Sequence, residues 1–177
     1  MWKELIAFVW FENVMEQRED HSLFEWWSHR RNLFHDILNL LWILDERDTL
    51  RWEDDLYDSQ VLVARLEEMT PPGTRVLGIT DQPMFDVGHW WLFGTAQLGG
   101  RTAVLSTAHL WVDDIPGDTK HPLFRDRLAK VGIHEFGHTL GFVHCPNARC
   151  VMEFSPSVGV LDVSRYTFCK TCLNWTR

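Results

Sequence analysis

Residues 134–145 run His134-Glu135-Phe136-Gly137-His138-Thr139-Leu140-Gly141-Phe142-Val143-His144-Cys145, and the rest of the chain is read outward from them. His134 and His138 stand four apart, so on a helix they lie one turn above each other and can share a metal ion. Glu135 projects about 100° round the helix from His134. Its carboxylate then falls beside the ion without being a ligand. H-E-x-x-H on a helix is the zinc-hydrolase arrangement, with the Glu as general base. Gly141 suits a left-handed residue that ends the helix, since it has no Cβ to clash. The chain can turn there and return His144 as a third imidazole. The five-residue pattern alone arises by chance in unrelated chains; Gly141 and His144 at fixed spacing remove that reading. So much polar chemistry would also make a poor core helix. A bound metal is expected.

Toward the C-terminus, Cys145 follows the third histidine directly, then come Cys150, Met152 and Cys169-Lys170-Thr171-Cys172. In a secreted protein an even cysteine count suggests disulfides. Cys169-x-x-Cys172 is instead spaced for a tetrahedral thiolate site, and Cys145-x4-Cys150 supplies the other half. A four-thiolate zinc is preferred to two disulfides, and a thiol redox pair is a third reading.

The extended signature, H-E-x-x-H-x-x-G-x-x-H-C-x4-C-x-M followed by C-x-x-C, resembles one branch of the metzincin zinc metallopeptidases, the archaemetzincins or archaelysins. The resemblance is strong over residues 131–172 and weaker over 74–110. It implies a catalytic zinc on His134, His138 and His144, Glu135 as the base, and Met152 in a Met-turn beneath the metal. It also implies a structural zinc on Cys145, Cys150, Cys169 and Cys172, hence two Zn2+ per chain. Some metzincins carry a Tyr two residues after the Met-turn Met; here Phe154 stands there and cannot donate a hydrogen bond. Family sequences often follow an acidic residue before the last Cys pair closely with a basic one. Here Asp162 is followed by Val163 and Ser164, with Arg165 only after them. Tyr166 is a candidate substitute donor.

A chain of 177 residues is expected to form a single domain able to bury a real core. Hydrophobic content of 45%, with 10 Trp and 11 Phe, excludes a disordered chain. A formal charge of −8 excludes a phosphate-backbone partner, which needs a basic face. The apolar run near Met1–Glu12 is too short to cross a bilayer and lacks a small-residue cleavage site, so it reads as a strand. With no secretion signal read, the thiols are expected to stay reduced, which points to the cytoplasm. A monomer without a membrane partner is expected.

In order, residues 2–11 read as a strand and Glu19–His35 as an amphipathic helix. Leu38–Leu44 is a second strand. A helix capped by Asp58 or Ser59 runs to about Met69, burying Val61, Leu62, Leu66 and Met69. Arg75–Thr80 reads as a strand buried on both faces, Trp90–Gln97 as a fourth strand and Thr102–Thr107 as a fifth. The long helix starts near His121-Pro122, preceded by Asp118 or Thr119, with Leu123, Leu128, Val131 and Leu140 toward the core. Asp113, Asp114 and Asp118 read as a solvated turn rather than a calcium loop. His89, Trp90 and Trp91 read as packing. Histidines 21, 29, 35, 89, 109 and 121 have no metal-type spacing.

The resemblance makes this an α/β, metzincin-like zincin: a twisted, mostly parallel five-stranded sheet with an antiparallel edge strand, packed on an active-site helix, plus a small zinc-stapled C-terminal lobe. Residues 1–143 form the upper lobe and 144–177 the lower, in one metallopeptidase domain, 1–177. Leu92, Phe93, Gly94, Thr95 and Ala96 would line the cleft, where an extended peptide adds as a strand; a plain core hairpin is the bland alternative. The expected reaction is hydrolysis of a peptide or protein substrate by metal-activated water. The competing reading is a zinc-binding module that recognises a peptide or protein and turns it over little or not at all.

Overall fold

The computed structural model describes residues 6–11, 41–42, 57–70, 72–112 and 120–175. The expected helix over Glu19–His35 and the aspartate turn over residues 113–119 lie outside these. The strands are β1 (Ile6–Phe11), β2 (Leu41–Trp42), β3 (Tyr57–Asp58), β4 (Arg75–Thr80), β5 (Met84–Asp86), β6 (His89–Leu92), β7 (Gly94–Ala96) and β8 (Thr102–Ser106). The helices are α1 (Ser59–Met69), α2 (Pro122–Thr139), α3 (Val158–Val163) and α4 (Lys170–Trp175).

The main sheet has the order β2-β1-β4-β8-β7, and β3-β5-β6 form a smaller one. Within the main sheet, among the described residues, β4 and β8 are the one parallel pair; β1 runs antiparallel to both β2 and β4, and β7 antiparallel to β8. In the smaller sheet β3 and β5 are parallel and β5 and β6 antiparallel. The expectation of a mostly parallel sheet is therefore wrong, although β7 is the antiparallel edge strand expected. A run of apolar residues reads the same in either direction, so it cannot report strand polarity.

The strand expected over Trp90–Gln97 is two strands. The chain leaves the small sheet at Leu92 and enters the main sheet at Gly94, and the carbonyl of Phe93 between them accepts from the Ser106 N–H at 2.7 Å. β5, pairing with β6 through a turn at Val87-Gly88 (Gly88 φ +93°), is an element the sequence reading missed. Its three residues are too few to show a period.

Both faces of the main sheet are covered. Leu77 and Ile79 of β4 and Ala103 and Leu105 of β8 pack on α2 residues Phe124, Leu128, Val131 and Phe136. Val76 and Val104 turn the other way, onto Leu62, Val63 and Leu66 of α1. The alternation is that of a strand buried on both sides. Leu105 is fully buried, so truncating it to Ala would cost about 2–5 kcal/mol.

The α1 cap is Asp58, whose side chain accepts from the Gln60 and Val61 N–H groups. Val63 is buried in place of Met69, which is exposed, and Val61 is half-buried. α2 begins at Pro122, whose missing N–H suits the first helical position. Its cap is His121, whose Nδ1 accepts from the Leu123 N–H at 3.2 Å. Leu128 and Val131 reach the core as expected, while Leu123 is half-buried. Among the described residues, no helix is long and apolar enough to cross a membrane.

Candidate active site

The end of α2 builds the site. The Gly141 N–H reaches the His138 carbonyl at 2.9 Å and the Phe142 N–H reaches that of Gly137 at 3.1 Å, a Schellman closure around Gly141 at φ +92°. The reversed chain carries His144 back, its ring centroid 4.9 Å from His138 and 5.2 Å from His134. One ring nitrogen from each of the three lies within 4.8 Å of the others.

Backbone carbonyls orient two of the rings. His134 Nδ1 lies 2.7 Å from the Val151 carbonyl oxygen and His138 Nδ1 lies 2.6 Å from that of Phe142. A carbonyl only accepts, so both Nδ1 atoms carry the proton and both Nε2 atoms present lone pairs. Those Nε2 atoms face each other at 3.0 Å. Two lone pairs at that distance repel unless a cation lies between them, so the donor set fits zinc. Burial, followed by the charge of His138, lowers His134 to about 3. Burial also lowers His138 and His144. The rings are neutral at physiological pH, as metal ligation requires.

Glu135 follows the first imidazole and is buried, 5% exposed. Its Oε2 has no hydrogen-bond partner, and burial pushes its pKa up to about 8. The carboxylate rests against the bare backbone of Gly94 in β7: a Cβ there would stand 2.5 Å from Oε1 and 2.6 Å from Cγ. Two residues on, Gly137 does the same for Met152. A Cβ at Gly137 would come within 2.5 Å of the Met152 Sδ, and Met152 is fully buried. Neither close approach was read from the sequence; the only trace is two glycines where side chains would otherwise be tolerated.

A cleft of about 700 Å³ opens over these groups. Leu92, Phe93, Gly94, Thr95 and Ala96 line it together with Glu135, His138 and His144. Trp91, read as packing, lines it too and is 39% exposed, while also meeting Phe93 edge-on. Asp86, Leu98, Val143, Phe154 and Ser155 complete the walls without having been singled out for this role. Asp86 ends the short β5, and the other four come from loops with no periodic pattern. Tyr166 does not line the cleft; the Lys130 Nζ sits 5.4 Å from its ring centre.

The four cysteines form the second cluster. Cys145–Cys169 and Cys150–Cys172 Sγ distances are 3.7 Å, and Cys169–Cys172 is 3.8 Å. Disulfides would need about 2.05 Å, so all four thiols are free. Sulfurs about 2.3 Å from a tetrahedral zinc stand about 3.8 Å apart; the cluster fits that ion. N–H groups surround the sulfurs: Asn147 N to Cys145 at 3.5 Å, Cys169 N to Cys150 at 3.4 Å, and Asn147 Nδ2 to Cys169 at 3.2 Å. Burial and contact with the other cysteines push Cys172 up. Cys169, against the burial that raises it, is brought down to about 6 by hydrogen bonds from the Cys172 backbone and Asn147.

Asp162, followed by no close basic residue in sequence, finds one in space. Arg127 holds it bidentately at 2.7 and 2.8 Å and also donates to the Leu110 and Trp111 carbonyls. Lys130 donates to the Leu161 and Asp162 carbonyls at the end of α3.

The sequence pattern of Peptidase family M54 matches residues 41–177. An archaemetzincin from Natronomonas pharaonis is 38% identical over 128 residues, 67% of this chain and 74% of that protein. One from Archaeoglobus fulgidus is 40% identical over 109 residues, 62% of this chain and 64% of that protein. The crystal structure of an archaemetzincin from Methanopyrus kandleri superposes with a TM-score of 0.66 at 28% identity, covering 90% of this chain and 88% of that one. Pattern, relatives and fold agree: this chain belongs to peptidase family M54, the archaemetzincin branch of the zinc metallopeptidases.

Proposed function

We propose that the chain hydrolyses peptide bonds with His134, His138 and His144 holding a catalytic zinc and Glu135 acting as general base. The observation that carries this is an unpaired, buried carboxylate oxygen beside three neutral imidazoles on one open cleft. Three protein ligands leave a coordination position free, which separates a catalytic site from a closed one. Zinc bound there supplies a Lewis acid and lowers the pKa of its water from about 15.7 toward about 7.

Glu135 Oε2 takes the proton from the attacking water and passes it to the leaving amine, and no covalent intermediate is needed. Among the described residues, β7 pairs with β8 and ends the sheet. Its outer edge receives the substrate backbone along Phe93, Gly94, Thr95 and Ala96. Thr95 and Ser155 are the hydroxyl donors on the walls, in the absence of a tyrosine among the lining residues.

Cys145, Cys150, Cys169 and Cys172 hold a second, structural zinc, giving two ions per chain. Met152 forms the floor beneath the histidine site. Residues 1–177 then work as one domain, with 144–177 as the lower lip of the cleft.

The test is Glu135→Ala. Turnover of a peptide library that disappears in this variant, with zinc content retained, supports the proposal. Equal peptide binding by both forms and turnover by neither would instead make the chain a recognition module.

A further inference from the structure

The walls of the cleft carry an uneven chemistry. Among the described residues, nine large apolar side chains are exposed, and four of them, Trp91, Leu98, Val143 and Phe154, are on this cleft. Such a concentration marks a binding surface rather than ordinary surface scatter. Among the described residues, the charged side chains of the lining are Asp86 and Glu135, with neither Lys nor Arg beside them. Asp86 Oδ1 accepts from the Val87 N–H at 2.6 Å, which the tight β5–β6 turn explains. Its Oδ2 accepts from the Gln60 side-chain amide at 3.1 Å. Both donors are neutral, and among the described residues no basic side chain pairs with it.

We propose that this cleft selects peptides by charge: apolar side chains beside the scissile bond, no acidic ones, and a cationic group seated against Asp86. Away from the metal, an anion would leave water for apolar walls beside the Asp86 carboxylate, with no Lys or Arg among the described lining residues to compensate it. A cation would lose less water at the half-open rim and gain the Asp86 charge. Asp86 pairs with His89, five residues before Gly94, with the change of sheet at Phe93 between them. At about 3.3 Å per residue that is about 16 Å at most. The cation therefore stands about three to five residues from the bond cleaved beside Gly94. A Lys or Arg side chain and a peptide amino terminus both supply this chemistry.

This selectivity rests on the peptidase reading, and the experiment separates the two. Peptides on a Leu/Ala background carry Gln, Glu or Lys at one scanned position, with free or acetylated amino termini. In the zinc-loaded protein, Glu should lower kcat/KM about tenfold or more relative to Gln near the scissile bond. Lys should raise it up to about fivefold at its best position at low salt, the gain shrinking as salt rises. Asp86→Asn should bring the Lys/Gln ratio to about one, while Asp81→Asn, on the exposed loop after β4, leaves the ratio as it was. Loss of the gain on acetylation identifies the amino terminus as the cation; its survival identifies the side chain.

The same peptides are titrated into Glu135→Ala protein, with tryptophan fluorescence reporting binding. Equal values for Gln, Glu and Lys peptides, or a Lys preference that survives Asp86→Asn, overturn the proposal. Charge-ordered binding with no turnover keeps the selectivity and sinks hydrolysis. Glu135-dependent turnover without charge order does the reverse. Peptides that neither bind nor react sink both.

Discussion

The two ligand clusters stand side by side and are built on opposite plans. The cysteine cluster is closed: Cys145, Cys150 and Cys172 are buried among Ile133, Phe142, Val151 and Met152, and N–H groups occupy the space round the sulfurs. The histidine cluster is open, with His144 exposed and a cleft in front of it. Yet both are tied to the same backbone. The carbonyls that orient His134 and His138 belong to Val151 and Phe142, and the Cys145 N–H closes the segment between them on the Met152 carbonyl at 2.7 Å. A closed site of this kind gives folding energy; an open one gives chemistry and depends on its neighbour to aim its ligands.

Four substitutions sharpen or break that contrast. The largest effect is expected from Glu135→Ala: peptidase activity about 10²–10⁴-fold lower, with zinc stoichiometry unchanged by metal analysis. An unchanged rate would remove the chemical half of the comparison. Cys169→Ser should release one zinc equivalent and lower Tm by about 10 °C or more, since several kcal/mol of folding energy go with the ion. It should also weaken zinc at the histidines, measured by titration with a chelator, because the segment that aims them has lost its staple. Two independent sites would leave that second affinity untouched.

Gly137→Ala should cost about 1–3 kcal/mol in denaturant unfolding, as the new Cβ pushes on Met152 Sδ. Gly94→Ala is the subtlest, with kcat about tenfold lower, or about 1.4 kcal/mol, through displacement of Glu135. That loss should vanish when the Gly94 change is made in a Glu135→Asp background, whose shorter arm frees the space. A loss that persists would mean that the methyl obstructs the substrate and not the base.

The open site was legible because helical periodicity translates spacing into geometry: His134 and His138 could only be neighbours, and Gly141 could only turn the chain. The closed site was legible because C-x-x-C fixes two sulfurs locally. What escaped depends on distant partners. Strand direction leaves no mark on a symmetric apolar run, so β1 was placed with the wrong polarity. The break at Phe93 between two sheets comes from which neighbours are available, not from the segment itself. Gly94 and Gly137 matter for what lies opposite them, and a lone glycine does not name its opposite. Arg127 and Asp162, 35 residues apart, give no local sign of meeting.

Arg127 and Lys130 fix the far end of α3, and the Met152 turn fixes the near end of the stretch leading to it. Phe154, Ser155 and Pro156 are therefore slung between two moorings like a short suspension span. Exchanging those three residues should retune what the cleft admits while both anchorages hold, so this loop is where an engineer would graft a new preference without recasting the foundations.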